Sequence, residues 1–156
     1  MSDRSSSPLL RLLPILIGIL FVSLGCDRLA GQQVEGSGTA TTAERTVDPF
    51  TAIEMNTTGR LILEQGDQRV ELRGDDNIVP RITTEIEDGA LVIGTEENVG
   101  LDPDVPLEYR IRIPNLEAVE LDGSGDIEMS PFTVERLVLE IDGSGTVRTR
   151  ELTGRS

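Results

Sequence analysis

A few residues in this chain have the types and spacing that chemistry requires. Glu140, Asp142, Ser144, Gly145 and Glu151 fall at the ligand spacing of an EF-hand loop, with glycine sixth and glutamate twelfth. The pattern has faults: Glu140 stands where an aspartate is usual, and the flanks read as strand rather than as paired helices. The sister copy, counted from Glu120, puts Pro131 in the twelfth place, where no bidentate carboxylate exists. Gly123-Ser124-Gly125 invites a phosphate-loop reading, but it lacks a third glycine, a following lysine and a helix N-terminus to receive the phosphate. Asp75 and Asp76 are carboxylates of the kind a glycosidase uses as acid and base. With 28 acidic residues in 156, adjacent pairs arise by chance, and the competing reading is a solvated turn.

What is missing narrows the chemistry further. All 14 basic residues are arginine, and histidine, lysine and tryptophan are absent. Without histidine there is no His-based triad, imidazole base or His metal site. One cysteine allows neither an internal disulfide nor a Cys-rich metal site. A net charge of −14 and a pI near 4.3 argue against nucleic-acid partners, which call for clustered positive charge. No catalytic residue, cofactor or metal is expected.

The single cysteine is Cys26. It follows a weakly positive start (Arg4, Arg11) and a 13-residue apolar run from Leu12 to Leu24, short of the roughly 20 residues that span a bilayer. Gly25-Cys26 at the end of this run resembles a bacterial lipoprotein cleavage box. The match is imperfect, since Ser23 and Leu24 occupy the places where an aliphatic and a small residue are typical. The competing reading is a chance thiol in an ordinary leader or an uncleaved anchor. Lipid attachment at Cys26 makes residues 1–25 a signal peptide and the protein a membrane-anchored resident of the bacterial cell envelope, at the periplasmic face or the cell surface. From residue 26 to residue 44 the composition turns to Gly, Gln, Ser, Thr and Ala, read as a flexible tether, and residues 45–156 as a single domain.

The elements that must position any site are strands. Apolar and polar residues alternate over Arg60–Gln65, Gln68–Arg73, Arg81–Glu87 and Leu107–Ile113. Gly66-Asp67 and Asp88-Gly89 each separate two such runs and read as tight hairpin turns. Beyond Pro114 a repeat appears: Leu121-Asp-Gly-Ser-Gly-Asp-Ile127 is echoed 20 residues later by Ile141-Asp-Gly-Ser-Gly-Thr-Val147, and Met55 to Leu61 keeps the same frame with Gly59. A period near 20 with strand content predicts stacked turns of a β-solenoid. Gly59, Gly123, Ser124, Gly125, Gly143, Ser144 and Gly145 are then structural corners where backbone approaches backbone. The expected fold is all-β, with antiparallel hairpins leading into a right-handed β-helix-like stack. Asp122 would lie over Asp142, a like-charge pair in which one carboxyl titrates high.

These motifs resemble the head GIN domain family of auto-transporter adhesins. The resemblance runs over about residues 45–150: Phe50-x-x-Ile53 through Gly59-x-Leu61, Gln65-Gly66-Asp67, Gly74-Asp-Asp-Asn-Ile78, Asp88-Gly-x-Leu-x-Ile93, and Pro114 through Gly125. It implies an all-β envelope-associated protein without catalytic residues and an adhesion or scaffolding role toward an envelope protein or a glycan. An enzyme on the same scaffold or a purely structural envelope protein are the alternatives. Family members usually continue with further Gly-Ser-Gly turns; here the last copy is followed only by a short polar tail. An exposed strand edge near Val138 to Thr149 is therefore expected, open to self-association.

Overall fold

The computed structural model describes residues 31–150 and 152–154; Cys26 and the leader lie outside them. Among the described residues the strands are β1 (Gln32–Glu35), β2 (Ala40–Arg45), β3 (Ala52–Met55), β4 (Gly59–Gln65), β5 (Arg69–Asp75), β6 (Ile82–Glu87), β7 (Ala90–Thr95), β8 (Val99–Asp102), β9 (Glu108–Ile113), β10 (Ala118–Leu121), β11 (Ser124–Met129), β12 (Phe132–Val134), β13 (Val138–Ile141), β14 (Ser144–Thr149) and β15 (Leu152–Gly154). The remaining element is a 3-10 turn at Val79–Arg81. The fold is all-β, as the alternation predicts, and its sheets are open and mixed.

Five strands form one sheet in the order β13-β10-β3-β7-β6, and six form a second in the order β14-β11-β4-β9-β5-β2. Two short pairs, β1-β8 and β12-β15, account for the other described strands. The repeat accounts for the parallel part. β3–β4, β10–β11 and β13–β14 are three tiers, each crossing from the first sheet to the second at a glycine corner. Val119 pairs with Leu139 and Ile53, and Ile127 with Val147 and Leu61, so the 20-residue offset becomes a neighbour relation.

Parallel register stacks each inward residue on its own kind. Leu91, Ile53 and Val119 form one buried column, Ile93, Met55 and Leu121 a second, and Tyr109, Leu61 and Ile127 a third. These side chains are at most 1 % exposed, so each contributes most of the ~1.5–3 kcal/mol of a fully buried large apolar group.

One predicted hairpin forms and the other does not. β6 and β7 pair antiparallel around Asp88-Gly89, where both residues have positive φ (48° and 83°), the requirement of a primed turn. Gly66-Asp67 is different: β9 lies between β4 and β5, parallel to the first and antiparallel to the second. The three-residue link has the reach for this, since a step of two strand spacings is only about 10 Å. β9 brings Tyr109, Ile111 and Ile113 into the core there, apolar area that a direct β4–β5 pairing would leave uncovered.

The flexible tether is also corrected. Folded structure begins before residue 45: β1 pairs parallel with β8, and β2 covers the edge of β5 along its whole length. Main-chain pairing does not require apolar side chains, so the polar composition of residues 31–44 concealed two strands. Only Val34 and Ala43 from this segment pack against the core.

Candidate functional site

The glycine corners stack on one another. A Cβ on Gly123 would strike the carbonyl oxygen of Thr57, and one on Gly143 that of Gly123. Likewise Gly125 faces the carbonyl of Gly59, and Gly145 that of Gly125. Both glycines of the Gly123–Gly125 and Gly143–Gly145 corners are thus required by the backbone of the tier beneath, whatever their own φ. Gly59 itself has φ 132° and abuts Tyr109 and the Leu107 carbonyl. Ser124 and Ser144 stand in register between the glycines. All seven predicted corner residues come together in one column.

An open groove of about 560 Å³ follows this column, walled on its far side by Pro103 and Pro106. Its polar lining is short: Thr58, Ser124, Ser144 and exposed main chain, with Arg60 placed in register between Asp126 and Glu108. The phosphate-loop reading fails physically, because each corner leads into a strand. Glu140, Asp142 and Ser144 likewise follow a strand–turn–strand path instead of wrapping a cation. Among the described residues no three His, Cys, Asp or Glu side chains converge on a metal position.

Asp75 is not part of a solvated turn. It is fully buried, with Oδ1 accepting from the Gly38 amide (2.8 Å) and Oδ2 from the Val105 amide (3.0 Å). Its neighbours complete a clamp: Ser37 Oγ donates to Asp76 (2.6 Å), the Ser37 amide to Asn77 Oδ1 (3.0 Å), and Asn77 Nδ2 to the Glu35 carbonyl (2.8 Å). The segment held is Gly36-Ser37-Gly38, a further Gly-Ser-Gly copy that the 20-residue spacing does not reveal. A carboxylate saturated by main-chain donors at the floor of a strap is structural, and the acid–base pair of a glycosidase is absent here.

Tyr109 lies beneath the corners. It is 1 % exposed and donates to the Thr58 carbonyl (3.1 Å). Burial pushes its phenol up to about 12, and a hydrogen bond with Thr57 pulls only partly against it.

The outward faces of the two large sheets differ in charge. On the six-stranded sheet the arginines find acids: Arg69 contacts Glu44 (3.2 Å), Arg112 and Arg110 reach Glu64 (3.5 Å each), and Arg148 lies 3.6 Å from Asp126. The five-stranded sheet instead aligns Glu54, Glu120 and Glu140 in direct parallel register. Loss of hydration raises the Glu120 carboxyl, and repulsion from Glu54, Glu140, Asp142 and Asp122 adds to it. The raised group therefore sits at the centre of the glutamate column, beside the Asp122–Asp142 step where the repeat alone placed it.

A second groove, of about 660 Å³, lies between residues 115–118 and 133–138. It opens beside the last tier, where Val138, Leu139, Ile141 and Leu152 are each about 40 % exposed. Their counterparts one tier inward, Val119 and Leu121, are buried. Among the described residues, strands β13 and β14 are the outermost members of their sheets.

Comparison with known proteins places this geometry. Residues 49–156 match the family model described as "Putative auto-transporter adhesin, head GIN domain". Three crystal structures share the fold, each matching 78% of this chain: a "putative adhesin" from Bacteroides fragilis (24% identity, TM-score 0.73), a "putative lipid binding protein" from Parabacteroides distasonis (22%, 0.66) and a "putative adhesin" from Parabacteroides merdae (21%, 0.62). The match covers 58%, 62% and 60% of those chains, so this chain spans about three-fifths of their length. No curated protein matches.

Proposed function

Because this chain belongs to the head GIN domain family, as its match over residues 49–156 shows, we propose that it is a non-enzymatic binding module of the bacterial envelope, lipid-anchored through Cys26. The observation that carries the binding role is the six-stranded sheet. Across β14, β11, β4 and β9 its outward side chains are held in parallel register by a buried core, and the Gly-Ser-Gly groove runs along its margin. A face of this kind, with charges of both signs fixed in rows, suits adhesion to an extended envelope protein or glycan, with the core serving only to keep it flat and rigid. The parallel tiers support the finer reading of the fold as a β-helix-like stack.

The anchor rests on the position of the lone cysteine after its 13-residue apolar run. Two or three acyl chains on Cys26 would hold the domain at a membrane far more firmly than one. Two experiments test the proposal. Metabolic labelling with an alkyne fatty acid should mark the wild type and spare Cys26→Ser; equal labelling removes the anchor. Residues 31–156, which form one compact unit with the whole core, should retain a specific envelope component when immobilised. Arg60→Glu and Arg110→Glu on the outward face should abolish that retention. Retention unaffected by both substitutions rejects this face as the binding surface.

A further inference from the structure

The geometry points to a subsite for the carboxylate of an acidic sugar in the Gly-Ser-Gly groove, centred on Arg60. The inference rests on the binding role proposed above and names the chemistry of its ligand. Charge is the first observation. On the six-stranded sheet Arg69, Arg73, Arg110, Arg112 and Arg148 each contact an acid. Arg60 lines the groove and makes no ion pair among the described residues, although Asp126 and Glu108 flank it at one strand spacing, about 4.8 Å. Those two acids contact Arg148 (3.6 Å) and Arg73 (3.7 Å) instead. The groove therefore presents a guanidinium fork with no acid paired to it, the shape that holds a carboxylate through two parallel hydrogen bonds. One cation between two acids also limits the guest to a single negative charge, since a phosphate dianion would be repelled by Asp126 and Glu108.

Second, the rest of the lining suits a polyhydroxylated ring. Thr58 and Ser124 hold equivalent places on neighbouring tiers and bring two hydroxyls that can donate or accept. Asp126 and Glu108 can only accept, and their contacts with arginine are long, so each keeps capacity for a ring hydroxyl. Pro103 and Pro106 wall the far side with rigid apolar rings, against which the C–H face of a sugar can lie.

Third, the main chain beneath the groove is already paired. Gly125 is in register with Gly59 and Arg60 with Glu108, and the Arg60 amide donates to the Leu107 carbonyl (2.9 Å). A peptide that binds by strand addition needs an unpaired sheet edge, whereas β11 and β4 each have a strand on both sides. A ligand here is met by guanidinium, carboxylate and hydroxyl side chains, the groups that recognise sugars. Every residue offered to it lies on β4, β9 or β11 or in the turns that lead into them, so the site does not depend on what neighbours β14.

Titration of residues 31–156 with trigalacturonate and with its glucuronate counterpart, followed by amide chemical shifts at low salt, tests this. The expected result is saturable shifts confined to residues 58–60, 107–108 and 124–126, weakening as salt screens the pair. The neutral methyl ester of the same trisaccharide should bind about tenfold or more weakly, and Arg60→Gln should lose as much, because each removes one charge-assisted pair. Arg60→Lys keeps the charge without the fork and should restore only part. Ser124→Ala, a handle away from the cation, should weaken binding severalfold, with the melting temperature reporting folding of every variant. Equal binding of acid and ester, or binding indifferent to Arg60→Gln, overturns the subsite. So does a failure of both uronates to shift these amides, or equal binding of an acetylated tripeptide or of inorganic phosphate. None of these outcomes rejects the sheet face as the binding surface, which falls only when the envelope component is retained by both Arg60→Glu and Arg110→Glu.

Discussion

Among the described residues the two ends of the parallel stack differ. At one end β2 covers β5, and the Asp75–Asn77 segment grips the Gly36–Thr39 strap through the main chain. At the other end β13 repeats the pattern of the tier beneath, yet leaves Leu139 and Ile141 about 40 % exposed where Val119 and Leu121 are buried, while Val147 of β14 is half-buried. The two ends draw on similar local sequence, since Gly36-Ser37-Gly38 and Gly143-Ser144-Gly145 share the same tripeptide. What separates them is whether another element supplies hydrogen-bond partners. A repeat specifies how tiers stack and does not itself supply the partners of an edge strand.

The largest expected effect lies at the covered end. Asp75→Ala removes a buried carboxylate and leaves the amides of Gly38 and Val105 without acceptors. Breaking a buried charged group of this kind costs about 3 kcal/mol or more. Asp75→Asn keeps one acceptor oxygen and should lose less. Denaturant unfolding of residues 31–156 measures both, and a change within about 0.5 kcal/mol for Asp75→Ala would show that the strap does not secure this end.

The next contrast compares equivalent glycines. Gly125→Ala drives a methyl into the Gly59 carbonyl in the middle of the stack, where neither tier can yield, at about 3 kcal/mol. Gly145→Ala makes the same collision with Gly125, but the outermost tier can tilt away, and the cost falls to about 1 kcal/mol. Equal losses at the two positions would mean that the open end is held as firmly as the interior.

Tyr109 reports on the interior optically. It is the only tyrosine and the chain has no tryptophan, so phenolate absorbance comes from this one residue. Its folded value, about 12, is above the ordinary 10. The stabilisation it carries is therefore complete below pH 10 and is lost as pH rises from about 10 through about 12, when the unfolded chain ionises first. A two-unit difference corresponds to about 2 kcal/mol at the upper end of that window. Titration of the native protein should show no phenolate near pH 10, followed by a rise that coincides with unfolding. A normal phenolate titration at pH 10 with the fold intact would place solvent beneath the corners.

How far the fold was legible follows from what each signal depends on. The 20-residue echo led correctly to neighbouring strands, because parallel register preserves sequence offset. Asp88-Gly89 led to a hairpin because its backbone angles are local. Gly66-Asp67 misled, because the strand that separates β4 from β5 comes from more than 40 residues downstream and leaves no mark on the turn. Asp75 was opaque for the same reason: its two donors, Gly38 and Val105, lie 37 and 30 residues away on opposite sides. The corner residues were legible as structure; a binding role for the outward face rests on the pairing order of distant strands, which no local pattern carries.

The smallest expected effect runs along the glutamate column of the five-stranded sheet. Glu54, Glu120 and Glu140 stand in register, and Glu120, flanked on both sides, has its carboxyl raised above the ordinary 4.5 by lost hydration and by its acidic neighbours. A carboxyl with a raised folded value holds its proton more tightly folded than unfolded. Its contribution is fully present below the unfolded value and is lost as pH rises through the folded one. Acidification from neutral pH should therefore relieve this column, even while the ion pairs of the other sheet weaken. Glu120→Gln removes the charge at every pH, so it should stabilise the protein slightly at neutral pH and become indistinguishable from wild type at acid pH, once Glu120 is protonated both folded and unfolded. The difference between the two stability curves isolates the column from all other carboxylates. Interior and edge then separate: Glu54→Gln, between Val92 and Glu120 in the middle of the sheet, should relieve Glu120 more than Glu140→Gln, because an edge strand can already move its charge away. A stability difference independent of pH, or one that grows on acidification, would show that the glutamates do not repel one another across the tiers.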